Sequence, residues 1–218
     1  QVDRIEVQFD GWGRDEECWK LRNIRADGDP TGDVVWEELW ELLLQPFKME
    51  RGGVDYCRAW CADSGYLTER VDNFVRYRQK YKTPDGARAF GYQIKGIAGA
   101  GILWPREASK VKKKAPLYVI HVDAAKEALY ARLSRVVSPG PKYIHFPVHR
   151  EFNEAYFEQL TAEKVEMTKD SKNFSVRTWM LKPGRSRNEA LDTSGYSLAA
   201  LKALESTGFD LEKWAQLL

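Results

Sequence analysis

The chain has 218 residues, enough for one large domain or two small ones, and 43% apolar against 30% charged residues is the balance of a soluble globular protein. A net charge of +2 excludes a uniformly basic nucleic-acid binder, so affinity for a polyanion has to come from local clusters. Nothing in the sequence is long and apolar enough to span a membrane, and no signal peptide opens the chain. The three cysteines, Cys18, Cys57 and Cys61, are an odd number without zinc-ligand spacing, which predicts reduced, mostly buried thiols in a cytosolic protein. A start at Gln1 that runs straight into strand-like sequence predicts a piece of a longer protein.

Arg4 to Trp12 alternates, with Ile5, Val7 and Phe9 on one side and Glu6 and Gln8 on the other, which predicts a half-buried strand. Cys18 to Arg25 alternates again, so the two read as an antiparallel hairpin with a loop longer than the tight two-residue type. After the loop Asp27–Asp33, Val35 to Phe47 has helical spacing and stops at Pro46. Arg51-Gly52-Gly53 reads as a turn. Val54 to Ala62 reads as a central strand, carrying Cys57 and Cys61 on one side and ending at Asp63-Ser64-Gly65.

Leu67 to Tyr81 is then a helix, Ala89 to Lys95 a short strand and Gly96 to Gly101 a loose glycine-rich segment. Lys110, Lys112, Lys113 and Lys114 make a basic loop before an apolar strand, Leu117 to Val122, and a helix, Asp123 to Arg132. Ile144 to Pro147 is extended, Glu154 to Leu160 helical, and Glu163 to Met167 pairs with Val176 to Leu181. A helix capped by Ser186 or Asn188 follows, and a last short one starts near Asp210. Strands and helices interleave, which predicts an α/β domain with one mixed sheet.

The late helix carries the sharpest chemical signal. Glu189 and Asp192 lie about one turn apart, Arg185 and Arg187 stand at its mouth, and Gly195, Ala199, Ala200 and Ala203 form a small-residue face for close packing. An acid near a helix start can also simply complement the helix dipole. Asp63, at the end of a buried strand, is the second signal, because functional groups in α/β sheets gather where strands leave the core; a turn-forming aspartate looks the same in sequence. Together Asp63 and Asp192 could share a hard divalent ion such as Mg²⁺ or Mn²⁺. Asp123, after an apolar strand, reads as a helix cap or a further ligand, with Lys126 nearby. His121, His145 and His149 lack metal-ligand spacing, and His145 reads as packed. The Lys110–Lys114 run and Arg177, Lys182, Arg185 and Arg187 are candidate phosphate contacts. Gly96 to Gly101 lacks the Lys-Ser/Thr ending of a nucleotide-binding P-loop.

The chain resembles the C-terminal nuclease domain of the large terminase subunit of lambda-type tailed phages. The resemblance rests on Asp3-Arg4-Ile5-Glu6, Gly11-Trp12-Gly13, Glu16-Glu17-Cys18-Trp19 and Gly28-Asp29-Pro30. It continues through Asp63-Ser64-Gly65, Ile94-Lys95-Gly96, Val122-Asp123-Ala124-Ala125-Lys126-Glu127, His145-Phe146-Pro147 and Gln159-Leu160-Thr161-Ala162-Glu163, and ends in Arg187-Asn188-Glu189-Ala190-Leu191-Asp192. These segments run in family order over nearly the whole chain.

The resemblance implies an RNase H-like fold with a mixed central sheet, an antiparallel hairpin plus parallel strands, and helices on both faces. It implies that residues 1–218 form a single nuclease domain of a longer large subunit whose ATPase domain precedes it. The implied activity is cutting of double-stranded DNA during genome packaging with two Mg²⁺ or Mn²⁺ ions, in the host cell cytoplasm. Asp63 and Asp192 would be catalytic metal ligands, with Glu189 or Asp123 as a further candidate. Lys95, Lys110, Lys112, Lys113, Lys114, Arg185 and Arg187 would hold DNA. The implied partners are DNA, the ATPase domain in cis, the small terminase subunit and the portal or procapsid. In the family a further Asp lies on a first strand that would fall before Gln1, which puts nuclease activity of residues 1–218 alone in question. A non-catalytic DNA-gripping or docking module, and a resolvase-like nuclease on the same fold, are the alternatives.

Overall fold

The computed structural model describes residues 3–50, 52–134 and 138–217, so the readings placed on Gln1 and Arg51 lie outside it. Strands β1 (Arg4–Trp12) and β2 (Cys18–Asp27) form the expected antiparallel hairpin. The alternation of β1 decides its two faces. Ile5, Val7 and Phe9 pack into an apolar cluster with Leu39 and Leu43 of helix α1 (Val34–Leu43), while Glu6, Gln8 and Asp10 point the other way. The register shifts between Phe9 and Asp10: Phe9 pairs with Arg22 and Asp10 with Lys20, so Leu21 is the extra residue of a β-bulge. A two-residue strand β9 (Ile144–His145) joins β2 in parallel.

A small hairpin, β3 (Phe47–Lys48) with β4 (Val54–Asp55), follows α1. The second sheet is built around β7 (Arg88–Ile97). Strand β5 (Ala59–Asp63) runs parallel along one edge of β7. The other edge takes β6 (Lys80–Lys82), antiparallel, and then β8 (Leu117–His121), parallel. Helix α2 (Thr68–Arg76) covers one face: Trp60 packs there with Val71, Phe74 and Val75. Gly91, opposite Trp60 on β7, leaves room for the indole, because a Cβ there would overlap the ring.

Helix α3 (Val122–Leu133) follows β8, and α4 (Glu154–Leu160) leads to a ribbon of β10 (Glu163–Lys169) and β11 (Ser175–Leu181). Helix α5 (Glu189–Glu205) covers the second sheet face, packing Ala199 and Ala203 on Tyr92, Ile94 and Ile120. Its small-residue face works as expected, since a Cβ on Gly195 would stand 3.2 Å from that of Ala125 on α3. Helix α6 (Leu211–Leu217) ends the described chain, and no helix among the described residues is long and apolar enough to cross a membrane.

The architecture is mixed α/β with helices on both faces, but the hairpin and the parallel strands do not share one central sheet. Among the described residues, β1 pairs only with β2 and β5 only with β7. The expected strand from Val54 to Ala62 is two pieces, because residues 56–58 belong to neither β4 nor β5 and the Arg58 side chain binds Asp55 and Asp85. Cys57 therefore lies off the strand that carries Cys61. Helix α1 stops at Leu43, before Pro46, and Phe47 pairs instead with Asp55. Helix α2 stops at Arg76, and Tyr81 serves as a strand residue with its ring edge-on to Trp40; a short apolar run fits either period.

The hairpin is tied to α5 by a buried charge. The Lys20 ammonium donates to Asp10 Oδ2 at 2.8 Å and to Ser194 Oγ at 3.0 Å, with both charged side chains almost fully enclosed. Burial opposes the ammonium, yet the Asp10 carboxylate more than offsets this and raises the Lys20 pKa above its usual value. Lys20→Met strands the Asp10 charge and is expected to cost about 3–5 kcal/mol in urea unfolding. Replacing both partners by apolar residues of similar size should restore most of that stability. A Lys20→Met protein as stable as the parent would show that the pair bears no structural load.

Candidate active site

Asp63 is the last residue of β5. The strand end is pinned by Ser64, whose amide and hydroxyl both donate to the Ile94 carbonyl at 2.8 Å. The Gly65 amide donates back to Asp63 Oδ1 at 3.1 Å, and Leu67, left-handed at φ 52, turns the chain into α2. Asp63 is exposed as a residue, yet surrounding atoms exclude enough water from its carboxylate to raise its pKa, against the lowering effects of the Gly65 and Ser64 amides and of Lys95.

Asp192 is the fourth residue of α5, half-buried, and lines the same cleft as Asp63. Its pKa is pushed up to about 6, mainly by burial. The nearby Lys126 ammonium pulls it down, and the charges of Glu163, Asp63 and Glu189 push it further up. Tyr196, one turn on, feels both aspartates, and burial together with these charges raises its phenol pKa.

The sequence reading did not assign the brace around Asp192. Asn188 stands at the N-cap position of α5, but its side chain makes no cap bond there. It donates instead to Glu163 Oε1 at 2.7 Å and Asp192 Oδ2 at 3.1 Å. Glu163 is buried at the start of β10 and takes the Lys126 ammonium on both oxygens, at 2.9 and 2.7 Å. Nothing local distinguishes Glu163 from any polar residue at a strand start. Its role exists only because α3, α5 and β10 meet.

The other candidates are placed as follows. Glu189 pairs with Arg187 at 3.1 Å and with Arg4 at 3.8 Å, and Arg187 also binds Glu6 at 2.9 Å. Asp123 lies inside the first turn of α3 rather than capping it; His121 occupies the cap position and Asp123 accepts the Gly99 amide at 2.8 Å. Lys95 is exposed on β7, close enough to Asp63 to lower its pKa. Lys110, Lys112, Lys113 and Lys114 are exposed on the loop before β8. Arg185 pairs with Glu158 at 2.5 Å and Arg177 with Glu127 at 3.0 Å. His145 is packed as expected, stacked on Trp19 at 4.9 Å and bonded to Glu17 at 2.7 Å. The cysteines are free thiols; Cys18 is fully buried, while Cys57 and Cys61 are half-buried.

Both aspartates open onto a cleft of about 450 Å³ between β1 and β5, floored by α5. Two carboxylates, one of which raises the proton affinity of the other, are hard oxygen donors suited to Mg²⁺ or Mn²⁺, whose remaining positions water can fill. No group of three or more His, Cys, Asp or Glu able to hold a metal occurs among the described residues, so the pair fits an ion as a partial ligand set.

A strand-end acid and a helix acid lining one cleft of an α/β domain stand where such domains bind their ligands. The family described as "Terminase large subunit gpA, endonuclease domain" matches residues 1–214, and the chain belongs to it. It is 29% identical to the "Terminase, large subunit" of Escherichia phage lambda and 26% identical to that of Enterobacteria phage P21. Each alignment covers 93% of this chain and 31% of the relative, so the chain spans about a third of the length of the curated relatives it matches. No solved structure matches the chain.

Because folded Asp192 holds its proton up to about pH 6 rather than 3.8, its contribution to stability is present at low pH and lost as pH rises through that window. With chelator present, the unfolding free energy of the parent minus that of Asp192→Asn is expected to fall by on the order of 2 kcal/mol between pH 4 and pH 7. A difference independent of pH would refute the raised pKa.

Proposed function

We propose that this chain is the nuclease domain of a longer terminase large subunit and hydrolyses double-stranded DNA during phage genome packaging, on an RNase H-like arrangement. The observation that carries this reading is the meeting of Asp63, from a strand end, with Asp192, from the start of α5, at one cleft where the Asp63 charge raises the proton affinity of Asp192. Membership of the terminase endonuclease family supports it.

In this reading Asp63 and Asp192 hold divalent metal, Mg²⁺ or Mn²⁺, and two ions form the full complement. Such ions, when bound, supply an activated water and stabilise charge on the phosphate and the leaving 3′-oxygen. The protein's own groups do the rest. Asn188 holds one Asp192 oxygen, and Glu163 keeps Lys126 paired beside it. Lys95 and the exposed lysines of residues 110–114 bind phosphates on either side of the scissile bond, an interaction that weakens with salt. Arg185 and Arg187 contribute by exchanging carboxylate partners for phosphate. The packaging partners, namely the ATPase domain in cis, the small terminase subunit and the portal or procapsid, and action in the host cell cytoplasm follow from the same reading.

The test is nicking of supercoiled plasmid with Mn²⁺ by the longer protein. Asp63→Ala and Asp192→Asn are each expected to lower the rate by on the order of 100-fold or more while duplex binding on a filter is retained. Full activity in either variant would remove that residue from the site. Duplex binding without nicking by the parent protein would leave the non-catalytic gripping module as the better description.

A further inference from the structure

We infer that Tyr196 is a positioning residue of the candidate active site, whose hydroxyl fixes the Asp63 carboxylate relative to Asp192. This rests on the nuclease reading and extends it from the two acids to a group that holds them in register. Tyr196 stands four residues after Asp192 on α5, so the two side chains leave the same face of the helix one turn apart. Its half-buried ring packs against the cluster of Tyr92, Ile94, Ile120, Ala199 and Ala203 between α5 and the second sheet.

The hydroxyl emerges from that cluster at the carboxyl end of β7, 3.9 Å from where a Cβ on Gly96 would stand. Asp63 pairs with Ile94, two residues before Gly96 on the same strand, and both Asp63 and Tyr196 line the cleft. There the phenol forms a side-chain hydrogen bond with the Asp63 carboxylate. An ionised carboxylate only accepts, so the Tyr196 O–H donates. Packing alone would be served as well by phenylalanine, which brings no hydroxyl that has to be satisfied. Tyr92, in the same cluster, turns its hydroxyl to the Ala203 carbonyl at 3.4 Å. Tyr196 instead aims its hydroxyl at an acid.

The consequence is geometric. Asp63 comes from a strand end and Asp192 from a helix, so nothing in either element alone sets the spacing of their oxygens. The Gly65 amide, at 3.1 Å from Asp63 Oδ1, ties that carboxylate to its own loop. The Tyr196 bond ties it to α5, the element that carries Asp192. The relative placement of the two acids is then set within one turn of a single helix. A small, hard ion such as Mg²⁺ tolerates little error in the placement of its oxygen ligands. A hydrogen bond that orients a ligating side chain is worth about 10–100-fold in metal affinity or activity.

Titration of Mn²⁺ into the longer protein without nucleotide tests this, with free Mn²⁺ read by electron spin resonance. The binding step that Asp63→Ala removes reports the site. Tyr196→Phe keeps the ring and loses only the hydroxyl, and is expected to move that step to about tenfold higher Mn²⁺ or more. Tyr92→Phe removes a hydroxyl from the same cluster and should leave the step in place. Plasmid nicking should divide the same way: the half-saturating Mn²⁺ concentration rises in Tyr196→Phe while filter binding of duplex is retained. An unchanged step in Tyr196→Phe overturns the proposal and leaves the nuclease reading standing. An equal shift in Tyr92→Phe also overturns it, since packing of the cluster would then be the cause. A parent protein without any Asp63-dependent step overturns the metal site itself, and the proposal with it.

Discussion

The contact on which the architecture turns is the ammonium of Lys20 enclosed between Asp10 and Ser194. It joins three elements: Asp10 is on β1, Lys20 on β2 and Ser194 on α5. A charge taken out of water tolerates little displacement of its partner, so the hairpin and the helix share one geometry. Asp192 lies two residues before Ser194, and its height relative to β1 is set by the same lock. Apolar packing of Leu191 and Leu198 holds α5 in the core, but packing alone would permit small slides that the ion pair does not.

A second network does for direction what the first does for position. Lys126, Glu163 and Asn188 form a chain of hydrogen bonds that ends on one oxygen of Asp192. The arrangement is one of opposing charges: Lys126 draws Asp192 toward its ionised form, while burial and the carboxylates of Glu163 and Asp63 push it away. Asn188 gives up its usual service to the helix end to join this network, and the first turn of α5 does without that cap.

How much of this could be read from residue order depends on the range of the interaction. The hairpin was legible because Ile5, Val7 and Phe9 alternate over a single stretch, and β10 with β11 for the same reason. The pairing of Asp63 with Asp192 was raised by local chemistry, which left each also open to a bland explanation, and was strengthened by family likeness. Phe47 and Tyr81 were assigned to helices because short apolar runs carry both periods, and pairing with distant strands decided for β-structure. The separation of the two sheets was not legible, because alternation says that a strand has two faces and nothing about which edges find neighbours. Glu163 was silent too: its value comes from Lys126 and Asn188, 37 and 25 residues away.

The bulge at Leu21 has a bearing on how this domain tolerates change in length. On either side of it the side chains of β2 exchange faces: Asn23 sits opposite Gln8, whereas Lys20, and not Leu21, sits opposite Asp10. A ladder that kept the Phe9–Arg22 register and ran on without the bulge would instead set Leu21 opposite the Asp10 carboxylate and swing the Lys20 ammonium away from it. A one-residue slip of register in β2 is therefore far more damaging than a one-residue change in the exposed loop at residues 110–114, and drift in chain length among descendants of this sequence should collect in the loops.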